Sequence, residues 1–145
     1  GYRLRPELTE AAFASGMHRT SDRGRIDQHN RLVVVGRVDD VVQVGGINVS
    51  VAAVEGAVQE HPMVAEAAVV AVADDQWGSK ITAFVVANGL ESVSDQQLIA
   101  SIVERAANAL GAESRPRDIV LMDSLPTLPT GKIDREQLRS LAAQS

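Results

Sequence analysis

Lys132 stands out in this sequence by its residue type and its place, and acting on a phosphate is one chemistry such a side chain could do. It follows Pro129-Thr130-Gly131, and the 145-residue chain has only one other lysine, Lys80, against twelve arginines. An ammonium on a flexible stem is a compact charge that can be brought to an oxygen where negative charge develops. A solvated loop lysine beside a helix start fits the same spacing, so spacing alone leaves both readings open. Gly131-Lys132 is not a nucleotide-binding phosphate loop. That motif needs a glycine five residues before the Gly-Lys pair and a hydroxyl after it, where Pro126 and Ile133 stand. The histidines, His18, His29 and His61, lack metal-ligand spacing, so no metal site is assigned. The chain contains no cysteine, which removes disulfides, thiolate metal sites and a Cys nucleophile.

Composition sets the frame that must position such a lysine. With 45% hydrophobic and 23% charged residues, the chain reads as one soluble globular unit, and a chain of this size buries roughly 70% of its unfolded surface. Its net charge of -5 argues against a general nucleic-acid binder, whose footprint is basic. No stretch approaches the roughly 20 apolar residues of a membrane span and no signal peptide opens the sequence, so the expected location is cytoplasmic. Residues 1–37 carry seven Arg against four acids, while residues 38–145 carry seven basic residues against fifteen acids. The composition changes near Gly36 to Asp40. Beginning at Gly1 rather than Met, the sequence reads as a piece of something longer.

Short elements alternate along the chain. Pro6 opens a helix through Phe13 that Gly16 ends. Gly24 to Ile26 and Leu32 to Val35 form a hairpin around Gln28-His29-Asn30, and Asp40 to Val44 with Ile47 to Val49 form a tighter one around Gly45-Gly46. Ser50 caps a helix whose apolar face is Val51, Val54, Ala57 and Val58. Val64 to Val72 and Ile81 to Val86 read as buried strands. Ser94 and Gln97 form a capping box before a helix on Leu98, Ile102, Val103 and Ala106. Ile119 to Met122 is a third strand, and Asp134 caps a last helix carrying Leu138 and Leu141. The fold class is α+β, with an α/β sandwich as the neighbouring possibility: a small three-stranded sheet with flanking helices and a β-hairpin, preceded by a short β-rich segment.

An ordered series of motifs resembles one family. Gly36-Arg37-Val38-Asp39-Asp40, Gly45-Gly46-Ile47-Asn48-Val49, Val54-Glu55, His61-Pro62, Trp77-Gly78, Ala83-Phe84-Val85-Val86, Leu125-Pro126 and Pro129-Thr130-Gly131-Lys132-Ile133-Asp134-Arg135 are similar to the small C-terminal domain of adenylate-forming enzymes. That superfamily includes acyl-CoA synthetases, peptide-synthetase adenylation domains and luciferases. Gly1-Tyr2, Ala12-Phe13 and Arg19-Thr20-Ser21-Asp22 resemble the end of the family's large N-terminal domain. The resemblance thus implies two parts: residues 1–38 close the large domain, and residues 39–145 form the lid.

It also implies roles, residue by residue. Asp22 matches the carboxylate that accepts hydrogen bonds from the ribose hydroxyls of ATP, although Ser21 replaces the usual preceding glycine; a turn aspartate is the plainer account. Arg37 matches a residue near the ribose and phosphates, and an ion pair with Asp22 or Asp40 is the alternative. Asp39 matches the hinge about which the lid swings between adenylation and thioester formation; here too a turn aspartate competes. Gly45 and Gly46 match the loop beside the pantetheine tunnel of coenzyme A, and equally suit a tight turn. Lys132 matches the lysine that stabilises charge as a carboxylate attacks the α-phosphate.

Gly-Gly-x-Asn-Val is similar to CoA ligases of acyl, aryl and o-succinylbenzoate type, whereas peptide-synthetase domains usually carry Lys-Ile-Arg-Gly there. The expectation is therefore a carboxylate CoA ligase using ATP, coenzyme A and Mg2+, the metal held mainly by the large domain. The family's phosphate loop and acyl pocket have no counterpart in these residues, so the chain alone is expected to be inactive. A peptide-synthetase adenylation domain and a non-catalytic α+β interaction module are the competing readings.

Overall fold

The computed structural model describes residues 6–14, 17–18, 20, 22–37, 40–88 and 93–144. The chain divides into two compact units, residues 1–39 and 40–145. In the first, helix α1 (Pro6–Ala12) is followed by strands β1 (Phe13–Ala14), β2 (Met17–His18), β3 (Asp22–Ile26) and β4 (Leu32–Arg37). The helix stops short of Gly16 because Phe13 and Ala14 pair with His18 and Met17. Strands β3 and β4 form the expected antiparallel hairpin, with Asn30 at φ 59° in its turn. Asp27 closes that turn, accepting from the His29 and Arg31 backbone N–H groups at 2.8 and 2.9 Å. These bonds, led by the one from Arg31, hold its carboxyl below the usual range.

The second unit begins with strands β5 (Val41–Val44) and β6 (Ile47–Ser50), joined by Gly45 and Gly46. Both glycines have positive φ, 58° and 84°, as a two-residue turn matched to strand twist requires. Helix α2 (Val51–Gln59) follows directly, its first turn capped by the Ser50 hydroxyl accepting from the Ala53 N–H. Strands β7 (Val64–Asp74) and β8 (Gly78–Ala87) pair antiparallel. Helix α3 (Asp95–Leu110), which carries the Ser94/Gln97 capping box, then crosses to strand β9 (Asp118–Leu121), parallel to β8. Helix α4 (Arg135–Ala142) closes the unit, with Asp134 accepting from the Glu136 and Gln137 N–H groups.

The sheet order is β7-β8-β9 and both faces are covered. One face presents Ala67, Val69, Ile81, Ala83 and Val85 to Val54 and Val58 of α2, Leu98 and Ile102 of α3, and Val44 and Val49 of the first hairpin. The other presents Ala68, Val70 and Phe84 to Leu125, Leu138 and Ala142. Burial on two faces explains why β7 and β8 read as near-continuous apolar runs rather than alternating ones. In α4, Leu138 and Ala142, four residues apart, face inward, while Leu141 is 38% exposed. No described helix is long and apolar enough to cross a membrane.

Candidate functional site

Lys132 leaves the body of the second unit on a short, internally braced hairpin. Thr127 and Ile133 form an antiparallel bridge. Above it, the Leu128 N–H donates to the Lys132 carbonyl at 2.8 Å and the Gly131 N–H donates to the Leu128 carbonyl at 2.8 Å. Below it, the Asp134 N–H donates to the Pro126 carbonyl at 2.8 Å. Pro129 fixes φ at the second position of the turn, and Gly131 occupies the left-handed region at φ 79°, where an L side chain is strained. The sequence Pro-Thr-Gly thus builds a stiff turn that carries an exposed Lys132. Among the described residues its ammonium has no ion-pair partner, whereas the other lysine, Lys80, pairs with Asp118 at 2.9 Å.

The hairpin is tied to the fold behind it. The Arg135 guanidinium donates to both oxygens of Glu55 at 2.8 Å and to the Val69 carbonyl at 3.0 Å. Glu55 also accepts from the Val69 N–H at 2.8 Å. These bonds to Glu55 hold Arg135 more firmly charged than an isolated arginine. The sequence displays both residues inside recognisable motifs but not their pairing, because nothing in the local pattern joins positions 80 residues apart.

At the first hairpin, the Gly45 N–H donates to the Trp77 carbonyl at 2.9 Å. A Cβ on Gly45 would lie 3.1 Å from the Trp77 ring, while one on Gly46 would meet no atom within 4 Å. Gly45 is therefore packed against the protein and Gly46 offers bare backbone to its surroundings. Trp77 is half-buried, with the Arg117 guanidinium 3.7 Å from its ring centroid, a cation–π contact the sequence did not signal.

In the first unit, Asp22 and Arg37 face each other in register across β3 and β4, with Oδ1 and Nη1 3.9 Å apart. Asp39 lies outside the described residues. No group of three His, Cys, Asp or Glu side chains able to hold a metal ion occurs among the described residues. An open groove of about 600 Å³ between α2 and α3, lined by His61, Ser101 and Arg105 among others, shares no residue with the Lys132 hairpin.

Comparison with known proteins adds ancestry to this geometry. The profile of the AMP-binding enzyme C-terminal domain matches residues 53–132. Acetyl-coenzyme A synthetase of Streptomyces avermitilis is 39% identical over 127 residues, 88% of this chain and 20% of the relative. The 4-chlorobenzoate–CoA ligase of an Arthrobacter species is 34% identical over 140 residues, 95% of this chain and 26% of the relative. Among solved structures, the amide bond synthetase McbA from Marinactinospora thermotolerans superposes with a TM-score of 0.84 at 32% identity, over 97% of this chain and 28% of that one. The chain therefore spans about a quarter or less of the length of the curated relatives quoted.

Proposed function

Because this chain belongs to the family of AMP-binding enzyme C-terminal domains, we propose that residues 39–145 are the mobile lid of an ATP-dependent carboxylate–CoA ligase and that Lys132 is its catalytic cation. In the first half-reaction a carboxylate oxygen bonds to the α-phosphorus of ATP, the bond to the bridging oxygen breaks, and pyrophosphate leaves with that electron pair. Negative charge grows on the α-phosphoryl and pyrophosphate oxygens, and a fixed ammonium lowers the barrier by binding that charge more tightly than it binds the ground state. In the second, the thiol of coenzyme A attacks the acyl carbon, AMP departs and the thiol proton is released.

The observation that carries this reading is the braced Pro129-Thr130-Gly131 turn, which spends its hydrogen bonds on holding its own shape and leaves the Lys132 side chain exposed. Asp22 takes the ribose hydroxyls and Arg37 lies by the phosphates; the two face each other across β3 and β4, 3.9 Å apart. Asp39 is the hinge between the two half-reactions. Gly45 and Gly46 border the pantetheine arm, Gly46 by its uncrowded backbone. The large domain supplies the rest of the ATP site, Mg2+ and the acyl pocket, and the lid by itself is inactive.

The test is product analysis. The full-length protein given ATP, coenzyme A and either acetate or 4-chlorobenzoate, the acids in its relatives' names, is expected to release AMP and pyrophosphate with a CoA thioester. ADP and inorganic phosphate as products contradict the proposal, as does the absence of nucleotide turnover with any carboxylic acid. Adenylation without a thioester, rescued by an added amine, would move the chain toward the chemistry named for its amide-forming structural neighbour.

A further inference from the structure

Resting on the assignment of Lys132 above, we propose that Arg135 is a positioning residue for adenylation: clamped by Glu55 to the open edge of β7, it fixes the direction in which the hairpin presents the Lys132 ammonium. The argument starts from the sheet. Among the described residues strand β7 pairs with β8 alone, so its outer N–H and C=O groups need other partners. Helix α2 supplies them from two side chains one turn apart. Gln59 accepts from the Ala67 N–H at 2.8 Å and donates to the Ala65 carbonyl at 3.0 Å. Two residues along the strand, Glu55 accepts from the Val69 N–H, but the Val69 carbonyl goes to Arg135.

That substitution is the informative feature. At Ala65 and Ala67 a single neutral amide satisfies both backbone groups. At Val69 the task is divided between a carboxylate on α2 and a guanidinium from the far end of the chain, which also form a two-pronged pair with each other. A planar guanidinium fork permits one orientation where an amide or ammonium would permit several. Arg135 stands three residues after Lys132, and the two residues between them are also anchored. Ile133 packs on the second core cluster and bridges Thr127, and Asp134 caps α4. The rigid turn is thereby joined to the rigid edge of the sheet, and the ammonium moves with the sheet rather than on a loop of its own.

The experiment uses the full-length protein and the acid that supports its ATP–pyrophosphate exchange. Arg135→Ala is expected to lower the exchange kcat by about tenfold to a hundredfold, the scale of misplacing a reacting group by an ångström. Thioester formation from the supplied acyl-adenylate and coenzyme A should stay within about twofold. The double variant Lys132→Ala with Arg135→Ala should exchange no more slowly than Lys132→Ala alone, because Arg135 acts through that lysine. Parallel loss of both half-reactions, or losses that multiply in the double variant, would make Arg135 a plain structural strut and overturn the proposal. Should Arg135→Ala fail to fold, Glu55→Gln and Arg135→Lys carry the same comparison, since each keeps part of the clamp. The two levels separate cleanly: normal exchange in Lys132→Ala removes the catalytic assignment, whereas impaired Lys132→Ala beside normal Arg135→Ala removes the positioning role alone.

Discussion

Thr82 shows how single residues on this scaffold can be judged by what they touch. It sits in the central strand β8, in register with Val70 and Asp118, fully buried and, among the described residues, with no hydrogen-bond partner for its hydroxyl. An unpaired buried hydroxyl has given up water for nothing in return. Thr82→Val keeps the shape and removes that cost, so it is expected to raise the unfolding free energy by about 1 kcal/mol; urea denaturation reads the change, and a lower midpoint would contradict it. Lys132 is the opposite case, a group kept exposed on a turn whose hydrogen bonds are spent on its own shape. Its position was legible because lysine is rare in this sequence and Pro129 and Gly131 are turn residues of known geometry. Its brace was not, since Glu55 and Arg135 meet only after α2 and α4 have been set against β7.

At the scale of elements, the link between α2 and β7 is fastened to α3 through His61. Its Nδ1 accepts from the Met63 N–H at 3.2 Å, so the ring proton sits on Nε2 and is donated to the Ser101 hydroxyl at 3.1 Å, which donates onward to the Leu98 carbonyl at 2.8 Å. Protonating Nδ1 breaks the first bond of that chain. Burial, and then the Arg105 charge, push the His61 pKa below its ordinary 6.5; Glu60, which pairs with Arg105 at 3.5 Å, and Glu104 border the same groove. Since the unfolded histidine takes its proton at higher pH than the folded one, the stability this contact provides is complete above about pH 6.5 and declines as pH falls toward the folded value. Thermal melts from pH 8 to 5 should therefore show a loss that His61→Gln abolishes; an equal slope in both proteins would contradict it.

The elements themselves were readable wherever local chemistry decides. Gly45-Gly46, Asn30, Ser50, the Ser94/Gln97 box and Asp134 all perform the turn or cap expected of them. Misreadings arose where pairing partners decide. Strands β7 and β8 extend beyond their apolar runs to Asp74 and Gly78 because their register continues to the turn. Helix α1 yields to a two-residue pairing.

On the scale of the whole molecule, the chain holds two kinds of parts that the proposed chemistry needs at different times. One unit carries Asp22 and Arg37, the other Lys132, Gly45 and Gly46. In the proposed cycle the lid contributes Lys132 to acyl-AMP formation and the Gly45-Gly46 turn to thioester formation, so damage to one should spare the other half-reaction. This division of labour is what distinguishes a catalytic lid from a passive α+β module carrying the same fold. The most direct measurement compares ATP–pyrophosphate exchange by the full-length protein and its Lys132→Ala variant, with thioester formation from supplied acyl-adenylate followed in parallel. The account predicts that exchange falls by about a hundredfold to a thousandfold, the scale of removing one charge-stabilising donor, while thioester formation persists; exchange at the unaltered rate would contradict it.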